Sequence, residues 1–152
     1  MANKFITVFW TVCLTALTAT MAGCALQVEY PDAMQTASQD FQITNNRIEI
    51  LVVFNQDVDI NSLEPGVNMI LETDNVSNAD FTLTAGSNRR SMVLTTTQTI
   101  EQLLDFNPDG DFSLELRGSG PNPVRSATGL ILDGDNNGRS GGDYQTSFVL
   151  IG

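Results

Sequence analysis

Residues 111–117 read Asp-Phe-Ser-Leu-Glu-Leu-Arg, and the reading of that alternation decides the fold class. Successive side chains of an extended chain point to opposite sides, so Phe112, Leu114 and Leu116 share one face while Asp111, Ser113, Glu115 and Arg117 share the other. This is the pattern of an antiparallel strand with one buried and one wet face. Upstream, Arg47–Asn55 repeats it with Ile48, Ile50, Val52 and Phe54 on one face, and Leu51 and Val53 thicken the other as a central strand requires. Further strands are predicted over Phe41–Thr44, Val67–Glu72, Asp80–Ala85, Arg90–Thr96 and Tyr144–Ile151. Clusters of Asn, Asp, Gly and Ser separate them, residues that favour turns through left-handed backbone and local side-chain hydrogen bonds.

One segment departs from period two. Thr99-Ile-Glu-Gln-Leu-Leu-Asp105 sets Ile100, Leu103 and Leu104 at helical spacing, with Thr99 and Gln102 placed as a capping box. One or two helical turns are expected there. Seven short strands without strand–helix–strand alternation predict an all-β protein, an immunoglobulin-like β-sandwich of about seven antiparallel strands with one short helical turn. It occupies residues 40–152 as one module, since no internal repeat is present.

The N-terminus has a different composition. Residues 1–24, MANKFITVFWTVCLTALTATMAGC, place one cation at Lys4 before 19 uncharged residues, 5–23, that end in small side chains. That is the layout of an export signal. An uncharged run of this length is also compatible with an uncleaved anchor, but threonines at 7, 11, 15, 18 and 20 dilute it. The ending Met21-Ala22-Gly23-Cys24 resembles the bacterial lipobox, with Met21 standing where leucine is commonest. The resemblance implies a signal peptide over 1–23, cleavage before Cys24 and lipid attachment through the Cys24 sulfur, the strong nucleophile of this region. Two or more acyl chains suffice for stable attachment to a membrane. Ala25 after the cysteine, where aspartate would imply inner-membrane retention, implies delivery to the outer membrane. Residues 24–39 have no clean period and read as a tether, on the order of 20 Å long as a coil.

Charge narrows the function. The chain carries 18 acids, seven basic residues and no histidine. All the acids lie after residue 28, and the only cations there are six arginines, so the part beyond the signal carries −12. Such a charge repels phosphate backbones and excludes nucleic acid as a partner. With Cys13 in the signal and Cys24 under lipid, no disulfide forms and no free thiol remains. Ser-His-Asp and Cys-His catalysis, histidine-ligated zinc, Schiff-base chemistry and a phosphate-loop lysine therefore lack their essential side chains. The expectation is a protein that is not an enzyme. Asp105, Asp109 and Asp111 surround Pro108-Asp-Gly110, a turn signature, and paired carboxylates in general leave a carboxylate-dependent hydrolase as the alternative.

The most specific polar motif precedes the last strand. In Leu132-Asp-Gly-Asp-Asn-Asn-Gly-Arg-Ser-Gly-Gly-Asp-Tyr144, Asp133, Asp135 and Asn137 followed by Gly138 match the first half of an EF-hand-type calcium loop. The twelfth position is Tyr144, and the nearest acid, Asp143, falls one residue early. Asp133, Asp135, Asn137, the Arg139 carbonyl and Asp143 are the candidate calcium ligands; a turn-rich connection closed by its own hydrogen bonds is the competing reading. Asp57 and Asp59 read as a solvated turn. Arg89 and Arg90 read as charges on a strand edge that discourage sheet-to-sheet association.

Ile50-Leu-Val-Val-Phe-Asn-Gln-Asp-Val-Asp-Ile-Asn-Ser-Leu63, Phe112–Gly118 and Gly120–Asp135 together resemble the bacterial Ig-like domain of the S-layer (SbsA-like) type. Ser126 and Leu130 stand where that family often has Asp and Asn. The resemblance implies a module for adhesion, display or spacing, with a protein or glycan partner at the cell envelope and no catalytic activity. An accessory subunit of an envelope complex is the neighbouring possibility.

Overall fold

The computed structural model describes residues 33–72 and 80–150. The expected signal peptide, Cys24 and most of the expected tether lie outside the described residues. Seven strands are present among them: β1 (Thr36–Thr44), β2 (Arg47–Phe54), β3 (Met69–Glu72), β4 (Phe81–Ala85), β5 (Ser91–Thr96), β6 (Asp111–Leu116) and β7 (Tyr144–Val149). A helix, α1 (Ile100–Phe106), joins β5 to β6, and a single 3-10 turn covers Ile60–Ser62.

The strands form two antiparallel sheets, ordered β1-β2-β5-β4 and β3-β6-β7. Lettered in sequence order these are ABED and CFG, the constant-type immunoglobulin arrangement. The fold is an immunoglobulin-like β-sandwich. Its core is the meeting of the two inner faces. Ile48, Ile50, Val52 and Phe54 of β2 and Met92 and Leu94 of β5 are buried against Met69 and Leu71 of β3 and Phe112, Leu114 and Leu116 of β6. Each such side chain contributes roughly 1.5–3 kcal/mol by leaving water. Leu114 and Val52 occupy the central strands that in antibody domains carry the cysteine pair, so aliphatic packing replaces the covalent link.

Burial alternates along β2 and β6 as period two requires. Side chains on the outer face of β2, Leu51 and Val53, are half-buried. Asn45 and Asn46, at φ 50° and 63°, turn β1 into β2, the paired left-handed conformation of a tight hairpin. Thr99 caps α1 as expected: its hydroxyl accepts from the Gln102 N–H, and the Gln102 side chain accepts from the Thr99 N–H at 2.9 Å.

The boundary at residue 40 needs correction. β1 starts at Thr36, Met34 is fully buried and bridges to Leu132, and the Gln35 carbonyl accepts from the Asn55 N–H at 3.0 Å. The sandwich therefore claims the last part of the expected tether. β1 lies at the sheet edge, so its first residues, Thr-Ala-Ser-Gln-Asp40, need no apolar alternation to pair through the backbone.

Candidate functional site

The connection from β6 to β7 is the longest in the described part, and Asp133 sits at its centre, fully buried. Its Oδ1 accepts from the Asn137 N–H at 3.1 Å. Its Oδ2 accepts from the Gly138 N–H at 2.9 Å and from the Gln35 side chain at 2.8 Å. The Asp133 N–H donates to the Met34 carbonyl at 2.7 Å. A buried carboxylate is tolerable only with this kind of donor set. Asp133 thus ties the loop to the segment that leads into β1.

Around it the loop is closed by short-range contacts. Asp135 accepts from the Asn137 side chain at 2.8 Å and from its N–H at 3.3 Å. Asn137 in turn accepts from the Arg139 N–H at 2.9 Å. Gly138 has φ 81°, a conformation costly for any residue with a Cβ. A Cβ on Gly118 would collide with the carbonyl oxygens of Leu132 and Gly142, which is how closely the loop packs on its own start.

Of the five expected calcium ligands, Asp133, Asp135 and Asn137 are brought together, and the fifth is held elsewhere. Asp143 accepts from the Ser119 N–H at 3.0 Å and from its hydroxyl at 3.1 Å. Arg139 engages the loop through its N–H. Among the described residues no three His, Cys, Asp or Glu side chains are grouped to hold a metal ion. Both lone pairs of Asp133 Oδ2 are used by donors, whereas Asp133 Oδ1 and Asn137 Oδ1 each accept one bond and each Asp135 oxygen accepts one. The first half of the loop has the oxygen donors a hard cation takes; the second half would need Asp143 to leave Ser119.

Three polar residues of this end carry structure that the sequence did not single out. Buried Asn68 donates to the Ser62 and Asn122 carbonyls at 2.7 and 2.8 Å and accepts from the Glu64 N–H at 2.8 Å, joining two loops. Buried Ser126 accepts from the Leu130 N–H at 3.0 Å and closes its own turn. Gln35 is the third, through Asp133. An amide or hydroxyl inside a polar loop has no periodicity to betray its burial.

Arg89 and Arg90 also depart from expectation. They lie in the turn between β4 and β5, where their carbonyls accept from the Val58 and Phe54 N–H groups at 2.9 and 2.7 Å. Arg90 meets Asp57 at 3.4 Å in an exposed pair, which stabilises little in water. Asp59 caps the 3-10 turn by accepting from the Asn61 N–H at 3.0 Å.

The far end of the sandwich is different in kind. There the β1–β2 turn, α1, the Asn107–Gly110 turn and the end of β7 meet: the Ile100 N–H donates to the Asn46 carbonyl at 3.0 Å and the Leu150 N–H to the Gly110 carbonyl at 2.9 Å. Glu72, Asp80, Glu101, Asp105, Asp109 and Asp111 all belong to this end. Arg47 is its only cation among the described residues, and its guanidinium is turned onto the Thr96 and Thr97 carbonyls. The Asn46 amide, 2.6 Å from Glu101, holds that carboxyl below the usual range, helped by backbone N–H at the start of α1.

The fold defines the chain as a member of the broad class of immunoglobulin-like sandwiches. Among solved structures it is similar to the native conformation of E. coli alpha-2-macroglobulin, with a TM-score of 0.54 and 8% identity over 78% of this chain. It spans 6% of that protein, so the likeness is one of fold. No protein-family model and no curated protein matches the chain.

Proposed function

We propose that this protein is a non-catalytic, lipid-anchored Ig-like module of the bacterial cell envelope. It is held at the outer membrane through Cys24 and acts by protein or glycan contact in adhesion, binding or spacing. The observation that carries the reading is the closeness of a lipobox-like Met21–Cys24 to a sandwich whose first buried residues, Ala33 and Met34, follow nine positions after the cysteine. Nine residues span at most ~30 Å, so the domain sits against the membrane that holds it. The missing histidine, lysine and thiol chemistry supports a contact function, as does the S-layer-type resemblance.

Calcium is the second part of the proposal. Asp133, Asp135, Asn137 and the Arg139 carbonyl are the ligands, with Asp143 released from Ser119 to complete the set. Asp135→Ala is the discriminating variant, because Asp133 already holds the loop together without a metal. Calcium should raise the melting temperature of the wild type and leave Asp135→Ala unmoved; equal response of the two, or none in either, contradicts a site here.

Crosslinking in intact cells followed by purification tests the contact function. One stoichiometric protein partner identifies an accessory subunit; capture of surface glycan or of varied partners identifies an adhesin. Turnover of a glycoside or ester lost on Asp111→Asn would overturn the non-catalytic reading.

A further inference from the structure

We propose that the free edge of β7, with the open seam beside it, docks an extended cationic segment of a partner protein, which adds to β3-β6-β7 as a fourth strand. This names the partner chemistry for the contact function proposed above and rests on it.

The edge is a template. Among the described residues β7 pairs only with β6, in the register Asp111↔Val149 through Leu116↔Tyr144. The Leu150 N–H to Gly110 carbonyl bond marks that pair as hydrogen-bonded. Bonded and non-bonded pairs alternate in an antiparallel ladder. The N–H and C=O groups of Gln145, Ser147 and Val149 therefore point to the open side, where no backbone partner meets them among the described residues.

Sheet proteins guard such edges with charge, proline, bulges or shortness. β7 reads Tyr-Gln-Thr-Ser-Phe-Val and has no charge and no proline. β1 has an irregularity between Thr36 and Ser38 and a charge at Asp40, and β3 is four residues long and ends in Glu72. β4 is also uncharged, but the exposed apolar side chains gather elsewhere, at Ile43 and Val149 beside β7.

A slot of about 280 Å³ opens between β1 and β7, with Phe41, Ile43, Phe148 and Leu150 on its walls. Ile43 is 61% and Val149 57% exposed. Phe148 forms a firm floor, its ring 4.3 Å from that of Phe41 and 5.4 Å from that of Phe112. A strand laid on β7 would turn alternate side chains into this slot, the division of labour by which strand addition combines backbone affinity with side-chain choice.

The other side chains of that strand would meet acid. On the outer face of β3-β6-β7 a second depression is bounded by Glu72, Asp111, Ser147 and Val149. Asp111 lies directly across from Val149. Asp109 precedes Asp111 in the turn whose Gly110 carbonyl accepts from the Leu150 N–H, Asp105 lies in the last turn of the helix that leads into that turn, and Arg47 is occupied by carbonyls. The occupant that fits alternates Lys or Arg with apolar residues. A second copy of this chain would bring like charges together, which costs affinity.

The test uses the protein as purified from its expressing cells in non-ionic detergent, its acylation state read by mass spectrometry, with two synthetic probes, (Lys-Val)5 and (Glu-Val)5. With (Lys-Val)5, amide exchange should slow at Gln145, Ser147 and Val149, and combined Asp105→Asn, Asp109→Asn and Asp111→Asn should weaken binding about tenfold. Ser147→Pro should remove the protection with its strand circular dichroism intact, because proline is tolerated where the N–H faces solvent. If that variant does not fold, the charge variants still decide. The proposal is overturned by equal binding of (Glu-Val)5, by protection that maps elsewhere, or by a peptide-free dimer that Ser147→Pro dissolves, which would make the occupant a second copy. A protein that binds (Lys-Val)5 but is not acylated at Cys24 would sink the anchored-module reading and leave this docking edge standing.

Discussion

The two ends of the sandwich use aspartate in opposite ways. At the end where the chain enters, five of the six arginines, Arg89, Arg90, Arg117, Arg125 and Arg139, are interspersed with acids, and the acids are largely spent on the protein's own backbone. Asp133, Asp143 and Asp59 each accept from neighbouring N–H groups. At the far end, among the described residues, Glu72, Asp80, Glu101, Asp105, Asp109 and Asp111 face Arg47 alone, and Phe106, 63% exposed, ends the helix that carries Glu101 and Asp105. Net charge alone therefore says little: acids such as Asp133, Asp143 and Asp59 build loops, while those of the far end are mostly left as a field in water.

The largest expected effect falls at the structural end. Asp133→Ala should destabilise by about 3 kcal/mol, because it strands three donors in a buried site; Asp133→Asn should recover part of this in urea unfolding. Asn68→Ala follows at about 2 kcal/mol, since Asn68 is buried and three backbone groups from separate loops lose their partner. At the far end the effects shrink. Thr99→Ala removes the cap of α1 at a cost of about 1 kcal/mol. Asp105, in the last turn of α1 where the helix dipole disfavours an anion, should give a gain of about 0.3 kcal/mol on change to Asn, visible only at low salt. A large loss at Asp105, or none at Asp133, would erase the distinction between the ends.

Acid solution probes the same contrast. The Glu101 carboxyl is depressed by the Asn46 hydrogen bond. Its stabilising contact is full above the unfolded carboxylate value of about 4.3 and is lost as pH falls through the lower folded value. The amide resonances of Asn46 should therefore shift only in that acid window, and Glu101→Gln should abolish the shift.

Legibility in the sequence followed the physics of burial. β2 and β6 could be read because each has one face in the core and one toward solvent, which writes period two into the residues. The capping box of α1 could be read because its two hydrogen bonds need a fixed spacing. The start of β1 could not, since an edge strand pairs through backbone and Thr36–Asp40 bury little. Nor could Asn68, whose partners at Ser62 and Asn122 come from separate loops. The Asp133–Gly138 string was visible as a motif but ambiguous in purpose. The oxygens that bind a cation are the same oxygens that accept a backbone N–H, and only the fold shows how many are already engaged.

The proposed placement of the domain rests on its lipid anchor at Cys24. Labelling growing cells with a radioactive or clickable fatty acid tests it most directly, comparing wild type with Cys24→Ser. The wild type should be acylated and membrane-bound, and the variant unlabelled, longer and signal-retaining. Label that persists in Cys24→Ser, or a wild type that is never acylated, would contradict it.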